Sequence, residues 1–97
     1  MFLKVHRAPD GCEVVAVCDR ELVNTTLKDG DFSLEISEKF YGTAPAGEEE
    51  VRRILLAAGN ANLIGHRTIA LAIDLGILDR EACTEIAGVP HAVILAL

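Results

Sequence analysis

The chain has 97 residues, the size of one domain, and 51% of them are hydrophobic, enough for a single core. A formal net charge of -6 repels phosphate backbones at long range and argues against direct nucleic-acid binding. With no Trp, one Tyr and three Phe, there are too few aromatic faces for a platform that stacks single-stranded bases.

In chain order, Phe2 to Arg7 and Cys12 to Cys18 are β-rich runs around Ala8-Pro9-Asp10-Gly11, whose Pro, Asp and Gly favour a tight turn, so a hairpin is predicted. The second run is apolar on both sides apart from Glu13 and reads as a central strand. Asp19 to Val23 predicts one helical turn capped by Asp19. Lys28-Asp29-Gly30-Asp31 predicts a turn before a third strand, Phe32 to Ile36, in which Phe32, Leu34 and Ile36 alternate with Ser33 and Glu35.

After a Gly/Pro loop, Glu48-Glu49-Glu50 places negative charge where a helix dipole is positive. Val51, Ile54, Leu55 and Ala58 then recur at helical spacing, while Glu48 with Arg52 and Glu49 with Arg53 form i,i+4 pairs on the wet side. A second helix is predicted from Leu63 to Leu75, apolar except for a stripe with Arg67 and Asp74, and stopped by Gly76; Ile69 and Ala72 fall in its core face. Asp79 can cap one more turn, and Cys83 to Ala87 and Ala92 to Leu97 read as two strands around Gly88-Val89-Pro90-His91. The predicted order is β-β-β-α-α-β-β, which implies one α+β domain over residues 1–97: a mostly antiparallel sheet with two main helices packed on it.

No run approaches the roughly 18 apolar residues of a membrane span, and the N-terminus alternates instead of forming an apolar signal core, so a cytoplasmic protein is expected. Cys12 and Cys18 sit about 20 Å apart if they share one strand, which excludes a bridge between them. With Cys83 they lack ligand spacing and read as reduced, small buried hydrophobes; no metal and no cofactor is implied.

The densest polar run in the apolar half is Asn60 to Arg67. Asn60 and Asn62 suit helix punctuation, since Asn tolerates left-handed backbone and accepts a free N–H as an N-cap. The sharper reading is a binding site at the start of the second helix, in which free N–H groups, Asn62, His66 and Arg67 hold an anion or polar group. Gly65 would permit close approach, and the run lacks phosphate-loop and dinucleotide patterns. Of the three histidines, His6 reads as a surface residue and His66 sits on the edge of a helix, whereas His91 follows Pro90 and is aimed by it, which makes it the best candidate to join Asn62 and Arg67.

Five segments in order, Phe2 to Arg7, Ala16 to Asp19, Ser37 to Gly42, Ala61 to Arg67 and Val89 to Ala92, resemble a family of small archaeal proteins known as domain of unknown function 424. The resemblance spans nearly the whole chain and implies an archaeal cytosolic protein with no assigned catalytic residues. In that family Gln often follows Val-Pro-His-Ala, and Glu precedes the helix arginine; here those positions hold Val93 and His66.

The expected function is a non-enzymatic binding or adaptor module for a protein or ribonucleoprotein partner, with a homo-oligomer left open. The alternative is a small enzyme or anion-binding protein using Asn62, Arg67 and His91. No Ser or Cys nucleophile is paired to a base by a local motif, which sets the enzyme reading second.

Overall fold

In the computed structural model, which describes residues 1–95, a five-stranded sheet forms the middle layer. Strands β1 (Phe2–Arg7) and β2 (Glu13–Cys18) form the expected hairpin, with Gly11 at φ +89° and Asp10 accepting the N–H of Cys12 at 3.0 Å. Next come β3 (Thr25–Asp29), β4 (Phe32–Ile36), α1 (Glu38–Tyr41), α2 (Glu48–Ala57), β5 (Ala61–Ile64), α3 (His66–Asp74), β6 (Thr84–Ile86) and β7 (Val89–Ile94). The sheet order is β1-β2-β5-β7-β6, and β3 and β4 pair as a separate ribbon.

The mixed α and β character holds, but the order β-β-β-α-α-β-β and the mostly antiparallel description need correction. β2 and β5 run parallel, with Val15 opposite Ala61 and Cys18 opposite Ile64. The parallel pairing originates at β5. Ala61 to Ile64 was expected to lead into a helix beginning near Leu63, yet it is a buried central strand, and the helix starts only after Gly65. A four-residue strand between Asn60 and Gly65 shows too few positions for periodicity to separate it from the start of an apolar helix.

Three smaller expectations also change. Thr25 to Asp29, expected to end in turn, is a strand, and the turn is the pair Gly30-Asp31. Pro90 and His91 lie within β7, because the reversal is made by Ala87-Gly88 in left-handed geometry at φ 52° and 80°. The last strand ends at Ile94; residues 96–97 lie outside the described residues.

The two sheet faces are covered differently. On one, Val15, Val17, Leu63 and Ala92 pack against Val51 and Leu55 of α2 and against Ile69, Leu71 and Ala72 of α3. Ile69 and Ala72 are core residues, as their helical phase requires. Arg52 joins the two helices outside, contacting Glu48 and Asp74 at 2.9 Å each; the Glu49–Arg53 pair does not form among the described residues. On the other face, Phe2, Ala16, Cys18 and Ile64 pack under Ile36, Tyr41, Phe40, Leu34 and Leu27 from the β3–β4 ribbon and α1.

Candidate functional site

The start of α3 carries its own anion. Asp19, at the end of β2 and 3% exposed, accepts the N–H of Arg67 at 3.0 Å and both the N–H and the hydroxyl of Thr68 at 2.8 Å. Its carboxylate therefore caps α3, not the short 3-10 turn at Arg20–Leu22 expected from sequence, where its side chain makes no cap bond. Such a carboxylate satisfies free donors and sits at the positive end of the helix dipole. Gly65 makes this approach possible at φ +115°: a Cβ there would come within 2.7 Å of the Asp19 Cβ and closer still to its carboxyl group.

The expected site therefore divides. Arg67 points outward, with a side chain 74% exposed and Glu21 at 3.9 Å, and His66 is exposed beside it. Both lie on α3, on the helix-covered side of the sheet. Asn60 closes a loop, donating from Nδ2 to the carbonyl of Glu13 at 3.3 Å. Asn62 and His91 face the opposite side, on adjacent strands, with His91 Nε2 3.2 Å from Asn62 Oδ1. The constellation of Asn62, Arg67 and His91 is not assembled, because the sheet separates the guanidinium from the imidazole.

In its place stands a cluster completed by Tyr41, whose hydroxyl donates to Asn62 Oδ1 at 2.7 Å. With that oxygen accepting from Tyr41, the contact with His91 requires the imidazole to donate from Nε2–H, which leaves Nδ1 as the acceptor in the neutral ring. Burial lowers the His91 pKa from its ordinary 6.5, favouring that neutral ring. Burial also raises the Tyr41 phenol above its usual value, so it stays a hydrogen-bond donor. Asn62 Nδ2 makes no hydrogen bond among the described residues, so the cluster holds an uncommitted amide donor and, in the neutral His91 ring, an acceptor at Nδ1.

Around the cluster, His6 stacks on Phe40 with ring centroids 4.9 Å apart and 18° between planes, and its Nε2 lies 2.6 Å from the Phe40 carbonyl oxygen. Phe40 meets Tyr41 edge-on. Val93 shares the face of Asn62 and His91 and is 51% exposed. Sequence reasoning missed Tyr41, which is 21 residues from Asn62, and missed the role of Asp19. The sequence hints at Tyr41 as its sole tyrosine, within the Ser37 to Gly42 segment that carries the family resemblance.

A model of the family described as "Protein of unknown function (DUF424)" matches residues 6–97. The chain belongs to that family. Its fold is similar to the crystal structure of an uncharacterized conserved protein from Methanopyrus kandleri, with TM-score 0.78 and 26% identity over 99% of this chain and 92% of that one. No curated protein matched the chain. The archaeal source of that neighbour agrees with the archaeal character implied by the sequence resemblance.

This DUF424 protein has three free thiols in three environments. Cys18 is buried, and its thiol is pushed up to about 11 by burial first and by the neighbouring Asp19 charge second. Cys12 precedes β2 and is exposed, and Cys83 is partly exposed, so the expectation that all three are buried holds for Cys18 alone. No group of His, Cys, Asp and Glu suited to a metal ion occurs among the described residues. No helix of the described residues is long and apolar enough to cross a membrane.

Proposed function

We propose that this DUF424 protein is a non-enzymatic binding module that docks a segment of a partner protein on the ribbon-side face of its sheet, at Asn62, His91 and Val93. The observation that supports this reading is the Asn62–His91 contact of 3.2 Å, held by Tyr41 and bordered by a valine 51% exposed. An amide donor beside an imidazole acceptor matches the acceptor and donor of a peptide group, and the neighbouring apolar side chain supplies the area that such polar contacts lack. Tyr41 fixes the Asn62 amide before a partner arrives, which reduces the ordering cost of binding. A phenol raised above its usual range and a neutral imidazole whose Nε2–H is engaged by Asn62 suit recognition better than bond breaking.

The test compares capture from native archaeal lysate by the wild-type chain, His91→Ala, Val93→Asp and the control Ala70→Asp, which alters an exposed position on α3. The reading expects wild type and Ala70→Asp to retain the same partner while the two sheet-face variants lose it. Equal retention by all four, or loss through Ala70→Asp alone, overturns it. Sedimentation of the same proteins distinguishes a second copy of this chain as the partner, since Val93→Asp would then convert a dimer to monomer.

A further inference from the structure

Beside the proposed docking face lies a cleft of about 380 Å³ between the tip of the β3–β4 ribbon and β6, lined by Asp29, Phe32, Thr84, Glu85 and Ile86. Phe32 is 54% exposed, an unusual position for one of only three phenylalanines. Asp29 and Phe32 are direct partners across the two-residue turn, so their side chains share one side of the ribbon. One carboxylate oxygen of Asp29 accepts the N–H of Ala87 at 2.9 Å, which ties the ribbon tip to the β6–β7 turn; Asp29 makes no ion pair among the described residues. None of the lining residues is basic.

The cleft also exposes backbone. Ile86 and Val89 flank the two-residue turn and form a hydrogen-bonded pair, so the next pair, Glu85 with Pro90, is not hydrogen-bonded. The N–H and C=O of Glu85 therefore point away from β7, toward the open edge of the sheet. Pro90, which has no N–H to donate, fits that register. An unpaired strand edge is a place where an extended chain can add its own main-chain bonds.

We propose that this cleft receives a lysine or arginine side chain from an extended segment of a partner protein: the Asp29 carboxylate meets the cation, the Phe32 ring covers the stem and head, and the Glu85 backbone bonds the partner's main chain. Charge complementarity selects this occupant. A net charge of -6 draws basic partners, the lining supplies the Asp29 carboxylate and no basic residue, and an aromatic face attracts ammonium and guanidinium groups while accepting their apolar stems. The proposal builds on the binding-module reading, because Thr84 lies directly opposite His91 and the cleft continues the same sheet face.

The test is an amide-resolved NMR titration of the full chain with three N-acetyl, N′-methylamide amino acids: lysine, arginine and norleucine, the last keeping the stem without the charge. Saturable shifts are expected at Asp29, Phe32, Thr84, Glu85 and Ile86 with lysine and arginine, and much smaller ones with norleucine. Phe32→Ala should weaken binding about three- to tenfold. Asp29→Asn should do likewise while keeping an acceptor for Ala87. Shifts scattered over other acidic surfaces, equal binding of norleucine, or unchanged binding by Phe32→Ala overturns the proposal. The two readings fail separately. If His91→Ala loses a captured partner that Phe32→Ala retains, the docking face stands and the cleft is overturned; if all variants retain it, the binding-module reading fails first.

Discussion

The two faces of the sheet use similar apolar strands to different ends. Under α2 and α3 the contact is aliphatic, and the elements lock through the buried Asp19 carboxylate and the space left by Gly65. Under the β3–β4 ribbon and α1 the cover is partial: the core ends at Tyr41, and beyond it lie Asn62, His91 and the exposed Val93. On the helix side the Asp19 carboxylate and the first N–H groups of α3 are spent on an internal cap, and Arg67 lies outward near Glu21. The ribbon side leaves a donor and an acceptor uncommitted, which makes it the place to look for function.

The sharpest way to break this comparison is Gly65→Ala. A side chain there must displace Asp19 from α3 at a φ that alanine tolerates poorly, so a loss of at least about 3 kcal/mol, or no folded protein, is expected in denaturant melts. Near-native stability would mean that Asp19 can withdraw cheaply and that the cap is not the lock. Ile69→Ala should follow with about 2–5 kcal/mol, because it empties space in the helix-side core where Ile69 is 1% exposed. A loss below about 1 kcal/mol would show that this side repacks freely.

Tyr41→Phe addresses the ribbon side and should cost only about 0.5–1.5 kcal/mol, since it removes one hydrogen bond to Asn62. Its more telling effect is on the His91 side-chain resonances, which should shift as the amide loses its anchor. The smallest effect is in pH. Burial holds the folded-state pKa of His91 below 6.5, so between the two values the unfolded chain binds more protons, and stability drops as pH falls through that window. His91→Gln should lose less melting temperature than wild type between about pH 7 and about pH 5. Equal losses would place His91 in open solvent.

Legibility followed the range of the interactions. Local signals were readable: the Pro-Asp-Gly hairpin, the α2 start at Glu48 and the phase of α3 all come from neighbours within a few residues. β5 resembles a helix start because a four-residue strand, Ala61-Asn62-Leu63-Ile64, is too short to carry a period of its own. At the site, Asn62 and His91 were identified separately, and strand register brought them together. Arg67 is near Asn62 in sequence only, because a residue on the helix after β5 projects to the other side of the sheet. Asp19 has the local pattern of a cap for the turn that follows it, and no local pattern announces that its partner lies 49 residues away.

That separation bears on how the chain folds. The β1–β2, β3–β4 and β6–β7 ribbons each close a short loop and can form within microseconds, whereas pairing β2 with β5 closes the stretch that contains the β3–β4 ribbon and both α1 and α2. Closing that stretch carries most of the entropic cost, so it is expected to set the refolding rate. Asp19 can reach Thr68 only once the closure is complete, and it then acts as a latch: its loss should speed unfolding more than it slows refolding.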